Sequence, residues 1–399
     1  MSVDPLFSPF TLPCGVVLKS RLIKSAMSDS LGDGTGHPTQ TQERLYERWA
    51  EGGIAASIIG EVQGLSGFAE KPGNLVLNAQ SDLEKFRVLA ERGQQNGSLL
   101  WLQLGHAGAL SYAPTSAPKG PSALDLEGLT CDAISTDEIK GVIQQFAETA
   151  RLARQCGFGG VQIHAAHGFL LSQFLSPLFN KRDDEYGGSI DNRMRLLLET
   201  VEAVRDTVGP DFPIALKLNS SDQLERGFSQ DEALIVVKAL NDTSIDILDI
   251  SGGTYFPGAK SASDSAGKGP YFLEFAKQAK KITSKPLMLT GGFKTKEQAD
   301  YAVMSGSVDF VGLARALIVA PSLPNEWHKG VNLAPQFPRF SHSPEGGVTA
   351  WYTMRITDIG DDKPIDESFD LDIDKAIETY EARDRERTEI WLKHFGPSK

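Results

Sequence analysis

The 399-residue chain has little cysteine, no long apolar run and no concentration of basic charge, and each absence removes a class of protein. Its three cysteines, Cys14, Cys131 and Cys156, are odd in number and irregularly spaced, which excludes a disulfide framework and any Cys-x-x-Cys metal or redox pair. They read as buried thiols. No apolar stretch approaches the roughly 18 residues of a membrane helix; the run from Gly53 to Ile59 is strand-sized. Met1 to Leu12 carries Asp4 and neither a basic nor an apolar segment, so the reading is a cytoplasmic protein without a secretory signal. The formal charge is −12, and Asp358 to Glu389 alone holds thirteen acids against five bases. The remainder is nearly neutral and has no basic stripe, which argues against nucleic acid as a partner. A Gly-x-Gly-x-x-Gly fingerprint between strand and helix is also missing, because Gly32-Asp33-Gly34-Thr35-Gly36 has the wrong spacing. That weighs against a doubly wound dinucleotide-binding sheet.

What is present is a rhythm. Eight short apolar runs rich in β-branched residues alternate with longer segments of helical period. The runs are Arg21 to Met27, Ile54 to Gly60, Leu99 to Gly105, Gly160 to Ala166, Pro213 to Asn219, Ile245 to Gly253, Pro286 to Gly292 and Asp309 to Arg315. Helices are predicted over Gln42 to Glu51, Ser81 to Gln95, Thr136 to Gln155, Arg193 to Val208, Gln230 to Asn241 and Thr295 to Ser305. Ser135 and Glu138 form a capping-box pattern at the start of the third. Several strands are apolar on both faces, as in a parallel sheet covered by helices. Eight such units closing on themselves make a (β/α)8 TIM barrel, an α/β fold, over residues 1–330. Past Pro324 the rhythm stops, and a Pro-, Gly- and Ser-containing stretch leads into an acidic C-terminal extension, residues 331–399. Ile373, Ile377 and Tyr380, then Trp391 and Phe395, give that extension a partly helical, one-sided apolar pattern suited to docking on the barrel or on a partner subunit.

In this fold the chemistry gathers at the C-terminal ends of the strands. Those ends carry Ser25, Ala26, Met27 and Ser28; Glu61; Gln103 and His106; His164, His167 and Phe169; Lys217; Ser251; Gly291 and Gly292; and Gly312 with Arg315. Glycines at the seventh and eighth strands beside an arginine suit a phosphate, with tight turns and a surface arginine as the plain alternative. His164 and His167 have the spacing of a zinc pair, but no third ligand is evident, so no metal is assigned. Two imidazoles leaving one strand end can instead hydrogen-bond an oxygen that gains negative charge. Lys217 is either a fixed cation awaiting an anion or the partner of Glu61 or Asp249 in a salt bridge.

The stretch His164-Ala165-Ala166-His167-Gly168-Phe169-Leu170-Leu171-Ser172-Gln173-Phe174-Leu175-Ser176-Pro177, continued by Asn180 to Arg193, resembles the old yellow enzyme family of FMN-dependent NAD(P)H oxidoreductases and ene-reductases. The resemblance covers Leu6 to Pro321. It implies FMN as cofactor and NADH or NADPH as reductant. By the resemblance, Ser25, Ala26, Met27 and Ser28 lie along the flavin, Gln103 and Lys217 meet its pyrimidine edge, and Gly291, Gly292, Gly312 and Arg315 hold its phosphate. His164 and His167 would bind the carbonyl oxygen of an α,β-unsaturated substrate. Partners are then a small molecule, no nucleic acid and no membrane, with a homodimer as the assembly weighed.

Three positions depart from the family pattern. Phe169 stands where a tyrosine usually protonates the substrate, Ser28 where Cys or Thr is usual, and Ala109 where the two-histidine branch often has Arg. Phe169 leaves the proton to water, Tyr112 or Tyr255, or turns the outcome toward isomerisation. The loops Tyr112 to Ser122 and Tyr255 to Lys268 would shape the substrate pocket. A cofactor-free barrel lyase or isomerase acting on a phosphorylated substrate is the reading from another class.

Overall fold

The computed structural model describes residues 4–256, 259, 269–364 and 372–396. Eight parallel strands close into a barrel: β1 (Leu22–Ser28), β2 (Ala56–Gln63), β3 (Leu99–Gly105), β4 (Gly160–Ala165), β5 (Ile214–Asn219), β6 (Ile247–Ser251), β7 (Leu287–Thr290) and β8 (Phe310–Leu313). Each pairs with its neighbours in order, and β8 returns to β1. The chain is a (β/α)8 barrel. The eight apolar runs seen in the sequence coincide with these strands, with altered ends. The second runs on to Gln63, whereas the last two stop at Thr290 and Leu313, so Gly291, Gly292 and Arg315 lie in the turns beyond.

The outer layer is built from α1 (Gln40–Glu51), α2 (Leu83–Gly93), α3 (Thr136–Gln155), α4 (Arg195–Val208), α5 (Gln230–Ala239), α6 (Leu273–Lys280) and α7 (Lys296–Met304). The Ser135 hydroxyl accepts from the Glu138 amide while the Glu138 carboxylate accepts from the Ser135 amide, satisfying two otherwise orphan donors of α3. The helix read over Arg193 to Val208 breaks at Met194, which separates a short turn, Ile190–Arg193, from α4. The segment after β3, read as loop, folds into a small three-stranded sheet of Lys119–Gly120, Leu124–Leu126 and Leu129–Ala133.

Side chains alternate along each strand, and the inward set changes character along the barrel axis. At the N-terminal end Ile23, Ala56, Ile58, Trp101, Ala215, Ile247, Met288 and Phe310 form an apolar plug, closed below by Leu12 and Leu18 of an N-terminal hairpin. Two positions further along, the inward residues become Ser25, Gln103, Lys217, Asp249, Thr290 and Gly312. The barrel is thus apolar at the bottom and polar at the top.

Beyond β8 the chain forms two long helices, α8 (Gly347–Gly360) and α9 (Ile373–Phe395). The first falls where the sequence showed only a Pro/Gly/Ser stretch running into acids, because its buried face, including Ala350, Trp351, Thr353 and Ile356, mixes small and polar residues with large ones. The Arg44 guanidinium on α1 donates to the Asp362 carboxylate (2.8 Å) just past α8. Helix α9 crosses to the C-terminal mouth: Arg387 donates to the Ser30 carbonyl, and Trp391 packs with Ala69 and Val76 of the β2–α2 segment. Trp391 is 1% exposed, so Trp391→Ala is expected to cost about 3–5 kcal/mol in urea unfolding and to open residues 69–76 to limited proteolysis.

Candidate active site

Parallel register sets the inner residues side by side. Gln103 on β3 pairs with Gln162 on β4, while His164 on β4 pairs with Lys217 on β5 and Lys217 with Asp249 on β6. All five side chains are buried. The Lys217 ammonium donates to Asp249 Oδ2 (2.5 Å), which also accepts from Gln162 Nε2 (3.0 Å). Gln103 Nε2 donates to Gln162 Oε1 (2.7 Å), and Thr290 Oγ1 donates to Asp249 Oδ1 (2.7 Å) while lying 2.9 Å from Ser25 Oγ. Of the alternatives for Lys217, the structure shows the ion pair with Asp249. A fully buried ammonium without a counter-charge would be too costly to keep protonated.

Above this network sit the two imidazoles. His164 Nε2 and His167 Nδ1 lie 3.1 Å apart; the far nitrogen of His164 meets the buried Glu61 carboxyl, and that of His167 lies 2.9 Å from Ser251 Oγ. Burial, reinforced by the Lys217 charge, pushes both imidazoles well below their ordinary value, so both are neutral at pH 7. His167 has φ +60°, in the left-handed region that costs a non-glycine residue about 1 kcal/mol. Its amide donates to Asn219 Oδ1 (3.2 Å) and its carbonyl accepts from the Tyr255 amide (3.0 Å), which hold the ring over the barrel axis.

Phe169 is buried beside His164, ring centroids 5.0 Å apart, and Tyr255 lies 5.8 Å from Phe169 and 5.7 Å from His167. Tyr112 is elsewhere: Lys71 lies 5.0 Å over its ring, in a cavity of about 330 Å³ shared with Tyr380 and Asp384 of α9. Of the Tyr255 to Lys268 loop, only residues 255, 256 and 259 are among those described. Ala26, Met27 and Ser28 line the half-buried end of β1, and Asn74 Nδ2 donates to Ser28 Oγ (3.4 Å).

Two acids matter more here than their sequence positions suggested. Glu61 entered as a strand-end acid and a partner for Lys217, whereas it pairs with His164 and accepts from Gln63 Nε2 (3.1 Å). Glu70, half-buried on the β2–α2 loop beside Ser28, is pushed up to about 7 by burial and by the Glu61 charge. No local pattern singles out a loop glutamate; folding brings it to the mouth.

The turns after β7 and β8 fit a flavin phosphate. A Cβ at Gly312 would stand 2.4 Å from both Ser25 Oγ and Thr290 Oγ1, and one at Gly292 would stand 2.2 Å from the Gly269 carbonyl. Neither position, one on β8 and one in the turn after β7, has room for a side chain. Arg315 is half-buried, makes no ion pair with any described residue and lies 5.7 Å from the Tyr352 ring of α8. An unpaired guanidinium above a glycine floor suits a phosphate.

Residues 5–334 match the model of the NADH:flavin oxidoreductase / NADH oxidase family. The chain belongs to that family. It is the family of the old yellow enzymes, whose cofactor is FMN and whose reductant is NADH or NADPH. The NADH-dependent flavin oxidoreductase iliE of Neonectria sp. (strain DH2) is 34% identical over 385 residues, a match covering 87% of this chain and 49% of that protein. The protein of the same name from Hypocrea jecorina (strain QM6a) is 33% identical over 349 residues, covering 79% and 87%. Morphinone reductase in complex with tetrahydroNAD superimposes with a TM-score of 0.71 at 25% identity, covering 84% of this chain and 93% of that one. The chain therefore spans about half the length of the Neonectria relative.

Two stability outcomes follow from the buried charges. Asp249→Asn leaves the Lys217 ammonium unpaired and is expected to cost about 3–5 kcal/mol in urea unfolding. Glu70 keeps its proton in the folded state where the unfolded chain has lost it, so its contribution is complete below pH 4.5 and is lost as pH rises through about 7. Glu70→Gln should therefore match the parent protein at pH 5 and exceed it by about 1–2 kcal/mol at pH 8.

Proposed function

We propose that the protein is an FMN-dependent oxidoreductase reduced by NADH or NADPH, acting on the carbonyl-activated double bond of a small molecule. When bound, FMN supplies a hydride acceptor for the nicotinamide and a hydride donor for the β-carbon of the substrate. Gly291, Gly292, Gly312 and Arg315 would hold its phosphate. Ser25, Ala26, Met27 and Ser28 would border the ring, with Gln103 and Lys217 at its pyrimidine edge. Asp249 holds Lys217 in place, so that a positive charge is fixed where negative charge develops.

The observation that carries the reading is the 3.1 Å approach of His164 Nε2 and His167 Nδ1, each ring anchored through its other nitrogen. That contact is a hydrogen bond in which one nitrogen accepts, and an arriving oxygen would displace it; with both N–H groups then turned to that oxygen, two donors draw charge out of the double bond and make the β-carbon electrophilic. Phe169 packs against His164 and has no proton to give, so the α-carbon proton comes from water or from Tyr255, the phenol beside that ring. The same feature favours a second reading, in which hydride returns to the flavin and the substrate leaves isomerised.

Anaerobic stopped-flow mixing tests both. NADH or NADPH should bleach the flavin, and cyclohex-2-enone or a related enone should restore it with one reduced product, or, on the second reading, be rearranged while the flavin stays bleached. A colourless protein, or reduced flavin indifferent to every enone, overturns the proposal. His164→Ala and His167→Ala should each slow reoxidation by about 10²–10³-fold and leave bleaching by the nicotinamide much less affected.

A further inference from the structure

Glu61 carries an inference that rests on the substrate-binding role given to the two histidines. Its side chain is 3% exposed, on β2, with its carboxyl against His164 Nδ1. The groups that face this pair can be named from every element around it. Gln63 donates from β2, Glu70 lies on the loop above and holds its proton up to about pH 7, His167 meets His164 Nε2 from just past β4, and Tyr255 approaches from the segment after β6. Lys217 and Asp249 act on His164 from β5 and β6 but are paired with each other. On β3, a Cβ at Gly105 would stand 2.1 Å from Glu61 Oε2, so the carboxyl occupies space that only a glycine leaves. No free cation among the described residues compensates a Glu61 carboxylate.

The proton count then decides what His164 can do. If Glu61 is ionised and the imidazole neutral, the single ring proton sits on Nδ1 and Nε2 presents a lone pair to the substrate oxygen. The two-donor arrangement would be lost. If the pair holds one more proton, the carboxyl donates to Nδ1 and Nε2 keeps its hydrogen. Without substrate, His167 Nδ1 accepts from that Nε2–H; when an oxygen takes this place, His167 can carry its hydrogen on Nδ1, because the Ser251 hydroxyl can donate to or accept from its Nε2.

We infer that Glu61 is the proton-holding partner of His164: its carboxyl group fixes the imidazole with Nε2–H toward the substrate oxygen and releases its proton to Nδ1 as negative charge reaches that oxygen. When hydride arrives at the β-carbon, the electron pair of the double bond moves onto the carbonyl oxygen. The Nε2 proton passes to that oxygen and the Glu61 proton passes to Nδ1, leaving an enol, a neutral His164 and a carboxylate. A solvent proton at the α-carbon, return of the enol proton to Nε2 and return of the Nδ1 proton to the Glu61 carboxylate then restore the starting state. Burial that raises the Glu61 carboxyl and lowers both imidazoles agrees with this count.

The test uses FMN-loaded protein labelled with ¹⁵N in its seven histidines. In the parent protein His164 should carry its hydrogen on Nε2 at pH 6–7 and switch to Nδ1 as the pair loses its proton at higher pH. In Glu61→Gln the amide donates to Nδ1 permanently, so the Nε2–H form should persist across the whole range. In stopped flow, parent reoxidation by cyclohex-2-enone should fall about tenfold per pH unit above that switch. Glu61→Gln should lose this alkaline limb, bind the enone within about threefold of the parent and react at least tenfold more slowly. An Nδ1–H His164 in the parent protein at pH 6, or a Glu61→Gln pH profile parallel to the parent's, overturns the inference. Failure of the parent itself to react with enones overturns the proposed function instead, and the tautomer measurement on the parent still judges the proton count.

Discussion

A single ion pair inside the barrel constrains everything above it. Lys217 and Asp249 are 1% and 0% exposed, so their charges have left water entirely and stay only if every remaining lone pair and proton is used. Asp249 meets that demand by accepting from Lys217, Gln162 and Thr290, and Gln162 and Thr290 in turn engage Gln103 and Ser25. Six strands are locked together by this polar ring, directly on top of an apolar plug. Such a ring is a rigid, weakly screened floor. Burial, helped by the positive end of the pair, keeps the neighbouring imidazoles neutral, so they are hydrogen-bonding groups rather than fixed cations.

Much of the barrel was legible because its two periods differ. Runs such as Pro213 to Asn219 are too short for helices and rich in aliphatic residues, and eight of them at regular spacing leave few topologies. The inward alternation Ala215, Lys217, Asn219 could likewise be read from period two. What could not be read is the pairing across strands. Whether Lys217 turns to Glu61, Asp249 or a bound anion depends on register, and register places Asp249 beside it while leaving Glu61 to His164. Glu70 and Tyr112 lie on loops with no period at all, so only their tertiary placement separates an acid at the mouth from a phenol under the C-terminal helix.

The C-terminal helices show the other limit. An acidic segment reads as solvated face, yet Asp384 is buried on α9 with Lys71 at 3.6 Å, and Arg387 reaches the Ser30 carbonyl. Of its basic side chains Arg383 and Arg387 are half-buried, against Thr357 and the Ser30 carbonyl, while most of its acids stay in water, an asymmetry that net charge conceals. Through α8 the same extension brings Tyr352 against Arg315. A segment outside the eightfold repeat therefore borders both the β2–α2 loop and the turn after β8, and it narrows access to the site from two sides.

A phenylalanine at position 169 need not disarm a site built this way. An acid can meet developing charge at the α-carbon, where a tyrosine would act, or at the carbonyl oxygen, where the imidazoles act. Protonating oxygen first gives an enol, a neutral species that takes its carbon proton from water without a dedicated donor. That route asks for a proton stored next to the oxygen in a dry place, and a carboxyl group hydrogen-bonded to the far side of His164 is such a store. The aromatic ring of Phe169 then serves by keeping water from the imidazole face, because a wetter pocket would ionise Glu61 and strip the hydrogen from Nε2.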